Sequence, residues 1–307
     1  MDSLKTKGIK AIFRGNETMD GAGVRLRRIF GGHSSAGLTD PFLLLDHFGS
    51  SRREDYEMGF PWHPHRGIQT VTYLLEGKVE HEDSEGNKGT IYPEDIQWMS
   101  SGSGIYHQEM PKPLDMKDPQ EMARSRGLPE SMVGLQLWLN MPAKEKMSTP
   151  EYRDIRSGSI EKFKTESGAI VKVIAGKYGD LISEFRGNPL IAPRYLDVSL
   201  EIDSEFSAEI PAGHTSMIYV VSGKLRTGNS AIGFETGDCV LFEDNGSRIL
   251  VKSGEKGGRF ILLSGRPLKE PVYWYGPIVM NSQEQLNEAY MDLRNNRFVR
   301  DRHPILG

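Results

Sequence analysis

The sequence predicts an all-β protein: two small barrels of antiparallel sheet in tandem, with a short C-terminal helix. Three observations carry that prediction. Strand-length runs rich in β-branched and aromatic residues recur along the chain, each closed by Gly, Asp, Asn or Pro. Helical periodicity is scarce. The chain also repeats itself, since the strand–glycine–strand pattern around Gly77 returns around Gly223.

Taken in order, the clearest strand segments are TVTYLLEG (70–77), IQWMS (96–100), LQLWLNM (135–141), AIVKVIAG (169–176), YLDVSLEI (195–202) and MIYVVSG (217–223). Many short strands at close spacing argue for a sandwich or barrel. In the repeat, Gly77 and Gly223 occupy matching places, and Pro93–Glu94–Asp95 matches Thr236–Gly237–Asp238, each before a strand. The best helix is SQEQLNEAYMDLRNN (282–296). Leu286, Ala289, Tyr290 and Leu293 share a stripe, Ser282 is the N-cap, and Gln285 completes a capping box. A weaker helical patch runs through 118–127. The repeat and the length of 307 residues predict two domains. Residues 1–141 form the first, the polar segment PAKEKMSTP (142–150) a linker, and 151–307 the second, including the C-terminal helix.

Composition excludes several function classes. A formal charge of −4 gives no bulk attraction to nucleic acid or to an anionic membrane. The basic runs at 25–28 and 297–303 are short and read as solvated faces. The one cysteine, Cys239, excludes an internal disulfide and a cysteine-rich metal site, and lies in the apolar run CVLF as a buried thiol. With an N-terminus lacking a signal-peptide apolar stretch, the expected compartment is the cytoplasm.

The most pointed chemistry lies in HPHRG (63–67) and HQE (107–109). Residues two apart on a strand share a face, so His63 projects with His65, and His107 with Glu109. Two such pairs on neighbouring strands could converge on one point. Imidazole and carboxylate without thiolate suit a divalent first-row metal: iron, nickel, manganese, copper or zinc. Pro64 donates no ladder hydrogen bond, which places this stretch at a strand start or sheet edge. A single His-x-His is weak by itself, and exposed turn histidines remain the alternative. The glycine-rich turn in SSGSGIYHQE (100–109) strengthens the metal reading.

The stretches GFPWHPHRGIQTVTYLLEG and GTIYPEDIQWMSSGSGIYHQEMP closely resemble the pirin family of the cupin superfamily. PFLLLDHFG (41–49), GLQLWLNMPAKEKM (134–147) and GPIVMNSQEQLNEAYMDLRNNRF (276–298) extend the resemblance over most of the chain. It implies a bicupin, two double-stranded β-helix domains, with one metal, usually iron, in the N-terminal one. The implied ligands are His63, His65, His107 and Glu109. The family implies either a quercetinase-like dioxygenase acting on flavonols or a redox-sensitive regulator acting through protein–protein contacts; both remain open here. Fe(II) is the expected metal. The expected partners are a small aromatic or enediol-type substrate or another protein, with no direct nucleic acid and no membrane.

Two departures stand out. Where many family members carry Glu, this chain has Gln69, a neutral candidate for supporting the ligands. The segment 111–133 is longer than in short members and is either a lid or a surface insertion. The second copy offers AGHTSMIYVV with the lone His214, so no metal is expected there. His47 is expected to pack rather than to catalyse, and His33, His81 and His303 carry no recognisable context. Glu109, besides ligating, is the candidate base, and Phe48, Phe60 and Trp62 are the expected apolar rim.

Overall fold

The computed structural model describes residues 5–228 and 232–300. The protein is all-β, and its chain forms two compact units that interleave in sequence. Of the described residues, the first unit contains 16–38, 42–158 and 269–300; the second contains 5–15, 39–41, 159–228 and 232–268. This division differs from the sequence boundaries at 142–150. The N-terminal strand Ile9–Phe13 pairs with Cys239–Phe242 of the second unit, while the tail returns to the first.

The first unit is built from two larger sheets and the small hairpin Tyr273–Tyr275 with Ile278–Met280. Seven antiparallel strands run in the order Glu151–Ile155, Ile96–Ser100, Ile68–Glu76, Met132–Asn140, Phe42–Ser50, Val24–Gly31 and Asn16–Asp20. Four more run Phe60–His65, Ile105–Lys112, Lys78–Asp83 and Lys88–Ile91. Alternation puts Leu26, Phe48, Leu74, Val79, Ile91 and Met132 into one buried cluster, each contributing about 1.5–3 kcal/mol by leaving water. Phe60–His65 is a sheet edge, as Pro64 predicts, because only Ile105–Lys112 pairs with it.

The second unit has a nine-stranded sheet and the small pair Lys177–Tyr178 with Leu181–Ile182, around a core that includes Val171, Val198, Phe206, Val220, Phe260 and Leu262. Its spine is two long neighbours, Thr215–Thr227 and Arg248–Gly265.

The internal repeat is visible in hydrogen bonds. Asp95 N donates to Tyr92 O and Glu94 N to Leu74 O; in the second copy Asp238 N donates to Glu235 O and Gly237 N to Val220 O. Glu94 sits at φ 71°, the left-handed region where the second copy supplies Gly237 at φ 92°.

The C-terminal helix spans Gln283–Arg294, and Ser282 Oγ accepts from Gln285 N as predicted. Gln285 reaches back to Asn281 N rather than to the cap residue. Leu286 and Ala289 pack with Ile278, Met280 and Phe298 inside the first unit, not the second. The patch at 118–127 holds one turn, Pro119–Met122, capped by Asp118. The expected linker is pinned, since Lys146 is fully buried. No helix among the described residues is long and apolar enough to cross a membrane.

Candidate metal centre

His63 and His107 stand directly opposite each other on the paired strands, and His65 opposes Ile105. The edge strand carries two histidines to one face, and its neighbour brings the third opposite His63. One nitrogen from each of His63, His65 and His107 lies within 4.8 Å of the others. Their ring centroids are 4.3–5.0 Å apart. This is the one such His/Cys/Asp/Glu group among the described residues.

Hydrogen bonds orient two of the rings. His63 Nδ1 faces Pro61 O at 2.9 Å and His65 Nδ1 faces Pro277 O at 3.2 Å. A carbonyl oxygen only accepts, so each Nδ1 carries the proton and each Nε2 keeps its lone pair. His107 is buried, yet neither ring nitrogen has a hydrogen-bond partner among the described residues. A buried imidazole without partners is costly. Burial lowers the pKa of all three, and for His65 and His107 the neighbouring imidazoles lower it further. Neutral rings with free lone pairs, aimed at one point, fit a divalent first-row metal.

Glu109 occupies the same face, but a register shift separates it from His107, so it opposes Phe60. Its carboxylate stands outside the three-histidine group. Thr72 Oγ1 donates to Oε1 at 2.9 Å, and burial pushes the pKa up to about 7. Of the proposed ligands it is thus brought near the imidazoles without joining their cluster.

The imidazoles His63 and His65 and Glu109 line a cavity of about 650 Å³ within the first unit. Phe48 and Phe60 line it as expected and meet edge to face, with centroids 6.3 Å apart. Trp62 does not: it is 48 % exposed on the opposite face of its strand, because it alternates with His63. Trp138 and Trp274 take its place, Trp138 packing edge to face on His65 at 5.1 Å. Sequence reasoning missed both, and Trp138 shows the available signal: in LQLWLNM it shares strand parity with Gln136, which also lines the cavity.

Other expected residues lie elsewhere. Gln69 is on the strand face opposite Thr72; its Nε2 donates to Ser100 Oγ at 2.8 Å, so it does not support the ligands. Thr70 has the parity of Thr72 and opposes Trp138. His47 shares neither the face of Asp46 nor the cavity, and burial lowers its pKa to about 4. His33 Nε2 bonds Trp274 O, and His81 stacks on Tyr152. His214 is buried beside Ser264 and is in no ligand group among the described residues. Cys239 is buried, and burial pushes its thiol pKa up. Of the segment 111–133 only Pro111 lines the cavity, while Glu121 anchors it to Lys78 at 2.7 Å. His303 lies outside the described residues.

Comparison with known proteins supplies the family. The model of the family described as Pirin matches residues 23–139, and that of the Pirin C-terminal cupin domain matches 195–299. A Thermoplasma acidophilum protein named as a candidate quercetin 2,3-dioxygenase is 42 % identical over 264 residues, covering 84 % of this chain and 99 % of its own. Human pirin is 38 % identical over 299 residues, covering 96 % of this chain and 94 % of that one. The crystal structure of quercetin 2,3-dioxygenase from Acinetobacter baumannii aligns with a TM-score of 0.82 at 29 % identity, over 96 % of this chain and 99 % of that one. An Escherichia coli pirin crystallised with nickel(II) shares the fold, with a TM-score of 0.58 at 21 % identity over 84 % of this chain and 98 % of that one. Two cupin units, a histidine cluster in the first and matches along both halves lead to one conclusion: this chain belongs to the pirin family.

Proposed function

We propose that this protein is a metal-dependent dioxygenase that opens flavonol-type substrates, with His63, His65, His107 and Glu109 holding Fe(II). The observation that carries the reading is the group of three neutral imidazoles, with donor nitrogens within 4.8 Å, at an apolar cavity large enough for a small aromatic molecule. The name of the Acinetobacter relative supports the substrate class.

Iron bound there would supply Lewis acidity and the redox capacity that oxygen chemistry needs. The chain supplies the rest. Trp138, Phe48 and Phe60 exclude water and flank a flat ring system. Pro61 O and Pro277 O fix the orientation of His63 and His65 through their Nδ1–H groups. Thr72 ties Glu109 Oε1 and leaves Oε2 to serve as the fourth ligand or, when displaced from that position, to accept the proton of a substrate hydroxyl.

The test is metal content by elemental analysis, together with flavonol absorbance followed in air with and without added Fe(II). The expected result is stoichiometric metal, lost in His107→Ala, and flavonol loss above the metal-only control. Turnover no faster than that control removes the dioxygenase reading. Retained metal in such a preparation favours a redox-sensitive regulator that works through protein contacts, and full metal content in His107→Ala overturns the ligand assignment.

A further inference from the structure

A row of polar side chains crosses the inner face of the seven-stranded sheet, one from each of five adjacent strands. Arg28 opposes Asp46, Asp46 opposes Gln136, Gln136 opposes Thr72, and Thr72 opposes Gln97. Residues directly opposite on antiparallel strands have Cβ atoms about 5 Å apart and interact. The row is bonded as well as aligned. Arg28 grips Asp46 with two hydrogen bonds of 3.0 and 2.8 Å, and Thr72 Oγ1 lies 2.5 Å from Gln136 Oε1 and 2.9 Å from Glu109 Oε1. At its outer end Arg28 also donates to Asp20 at 2.9 Å.

Arg28, Asp46 and Asp20 all line the cavity that His63 and His65 line. Among the described lining residues, Arg28 is the one cation, against the carboxylates of Asp20, Asp46 and Glu109. Asp46 and Asp20 take Nε and Nη2 of Arg28, while Nη1 has no partner among the described residues. The guanidinium is therefore already neutralised, with one carboxylate in excess. Apolar wall lies beside it, contributed by Leu26, Leu44 and Phe48.

We propose that the Arg28–Asp46–Asp20 group is a specificity station for the part of the substrate that does not ligate the metal: it accepts hydrogen bonds from neutral ring hydroxyls and rejects ring carboxylates. This rests on the flavonol reading of the site and adds which flavonols the cavity takes. A phenol hydroxyl donates to Asp46 or Asp20 and receives from Nη1 of Arg28. A carboxylate in the same place has no free cation to pair with and meets two like charges, at an effective dielectric well below that of water.

The experiment measures binding rather than turnover. Quenching of tryptophan fluorescence, which Trp138 and Trp274 at the cavity wall make sensitive to ligand, is followed anaerobically with the metal-loaded protein. The probes are a flavonol hydroxylated on both outer rings and its two analogues carrying a carboxylate in place of a hydroxyl on one ring or the other. At least one analogue is expected to bind about tenfold or more weakly than the parent. Asp20→Asn and Asp46→Asn remove the excess charge, so each narrows that gap several-fold. Asp20 is half exposed, so its variant keeps the fold and decides the matter alone if Asp46→Asn does not fold. Equal affinities in the native protein, or a gap unchanged in the folded variants, overturn the station. Quenching with the expected discrimination but no flavonol consumption in air leaves the station standing and removes the dioxygenase reading. Consumption without discrimination does the reverse, and no quenching by any probe removes both.

Discussion

Lys146 is the side chain whose role is furthest from its sequence context. PAKEKMSTP has the composition of a solvated connector, yet the Lys146 ammonium is buried and donates to Gly67 O at 2.7 Å, Asn140 Oδ1 at 2.6 Å and Val279 O at 2.9 Å. Three N–H groups meet three acceptors, which ties the loop after the histidine-bearing edge strand to strand Ile278–Met280. Burial pulls the pKa down to about 7, against the preference of those carbonyls for the charged form. With a folded pKa below the unfolded one, the native state holds fewer protons between about pH 7 and 10.5, so this group's contribution to stability rises with pH across that window. Below pH 7 both states are charged and the burial cost is felt in full. Lys146→Met leaves the carbonyls unpaired and is less stable throughout. Denaturant titrations are expected to show the native protein gaining on that variant by roughly 2 kcal/mol from pH 7 to pH 9. A gap that does not grow would mean that Lys146 stays charged. The clustering of His63 with His65, by contrast, was legible, because strand alternation alone pairs them.

At the level of elements, the repeated turns were readable because their chemistry is local. Gly77 and Gly223 both lie at positive φ, 78° and 88°, and the Asp95 and Asp238 carboxylates close the same four-residue turn onto Tyr92 N and Glu235 N. The C-terminal helix was readable for the same reason, since a cap and a stripe specify it. Ser282→Ala removes the bond to Gln285 N and is expected to cost about 1 kcal/mol, read as a lower denaturant midpoint with an unchanged slope. No loss would show that packing on Ile278 and Met280 holds the helix without its cap. Which sheet the helix packs on was not readable, because an apolar stripe does not name its partner.

For the whole molecule, the decisive feature is that the tail from residue 269 belongs to the unit that carries the histidine cluster. Arg66, next to His65, is fully buried and bonds Asp292 at 3.0 Å and Phe298 O at 2.9 Å, while its guanidinium lies over the Phe298 ring. Pro277 O orients His65, and Val279 N donates to Arg66 O. A chain ending at residue 268 removes both partners of Arg66 together with the Phe298 ring that covers it, and it uncovers Leu43 and Ile68, which pack on Val279; each apolar side chain returned to water costs about 1.5–3 kcal/mol. Hydrogen exchange should then accelerate in strands Ile68–Glu76 and Met132–Asn140, with loss of bound metal, while Arg194–Leu200 keeps its protection. Unchanged exchange in the first two strands would show that the tail only covers the unit.

The sequence by itself determined the β class, the repeat, the edge strand bearing His63 and His65, and the absence of a histidine pair in the second copy. These follow from period-two alternation, turn residues and ligand spacing, all of which act within a few residues. Only the tertiary structure decided that Gln69 faces away while Thr72 holds Glu109, that Trp138 and Trp274 replace Trp62 at the cavity, and that Arg28, Asp46 and Gln136 line up across three strands. It also decided that both chain ends cross to the opposite unit. The reason is physical: register and burial between segments distant in sequence are set by which apolar faces meet, and a one-residue shift would turn every such side chain to the other face.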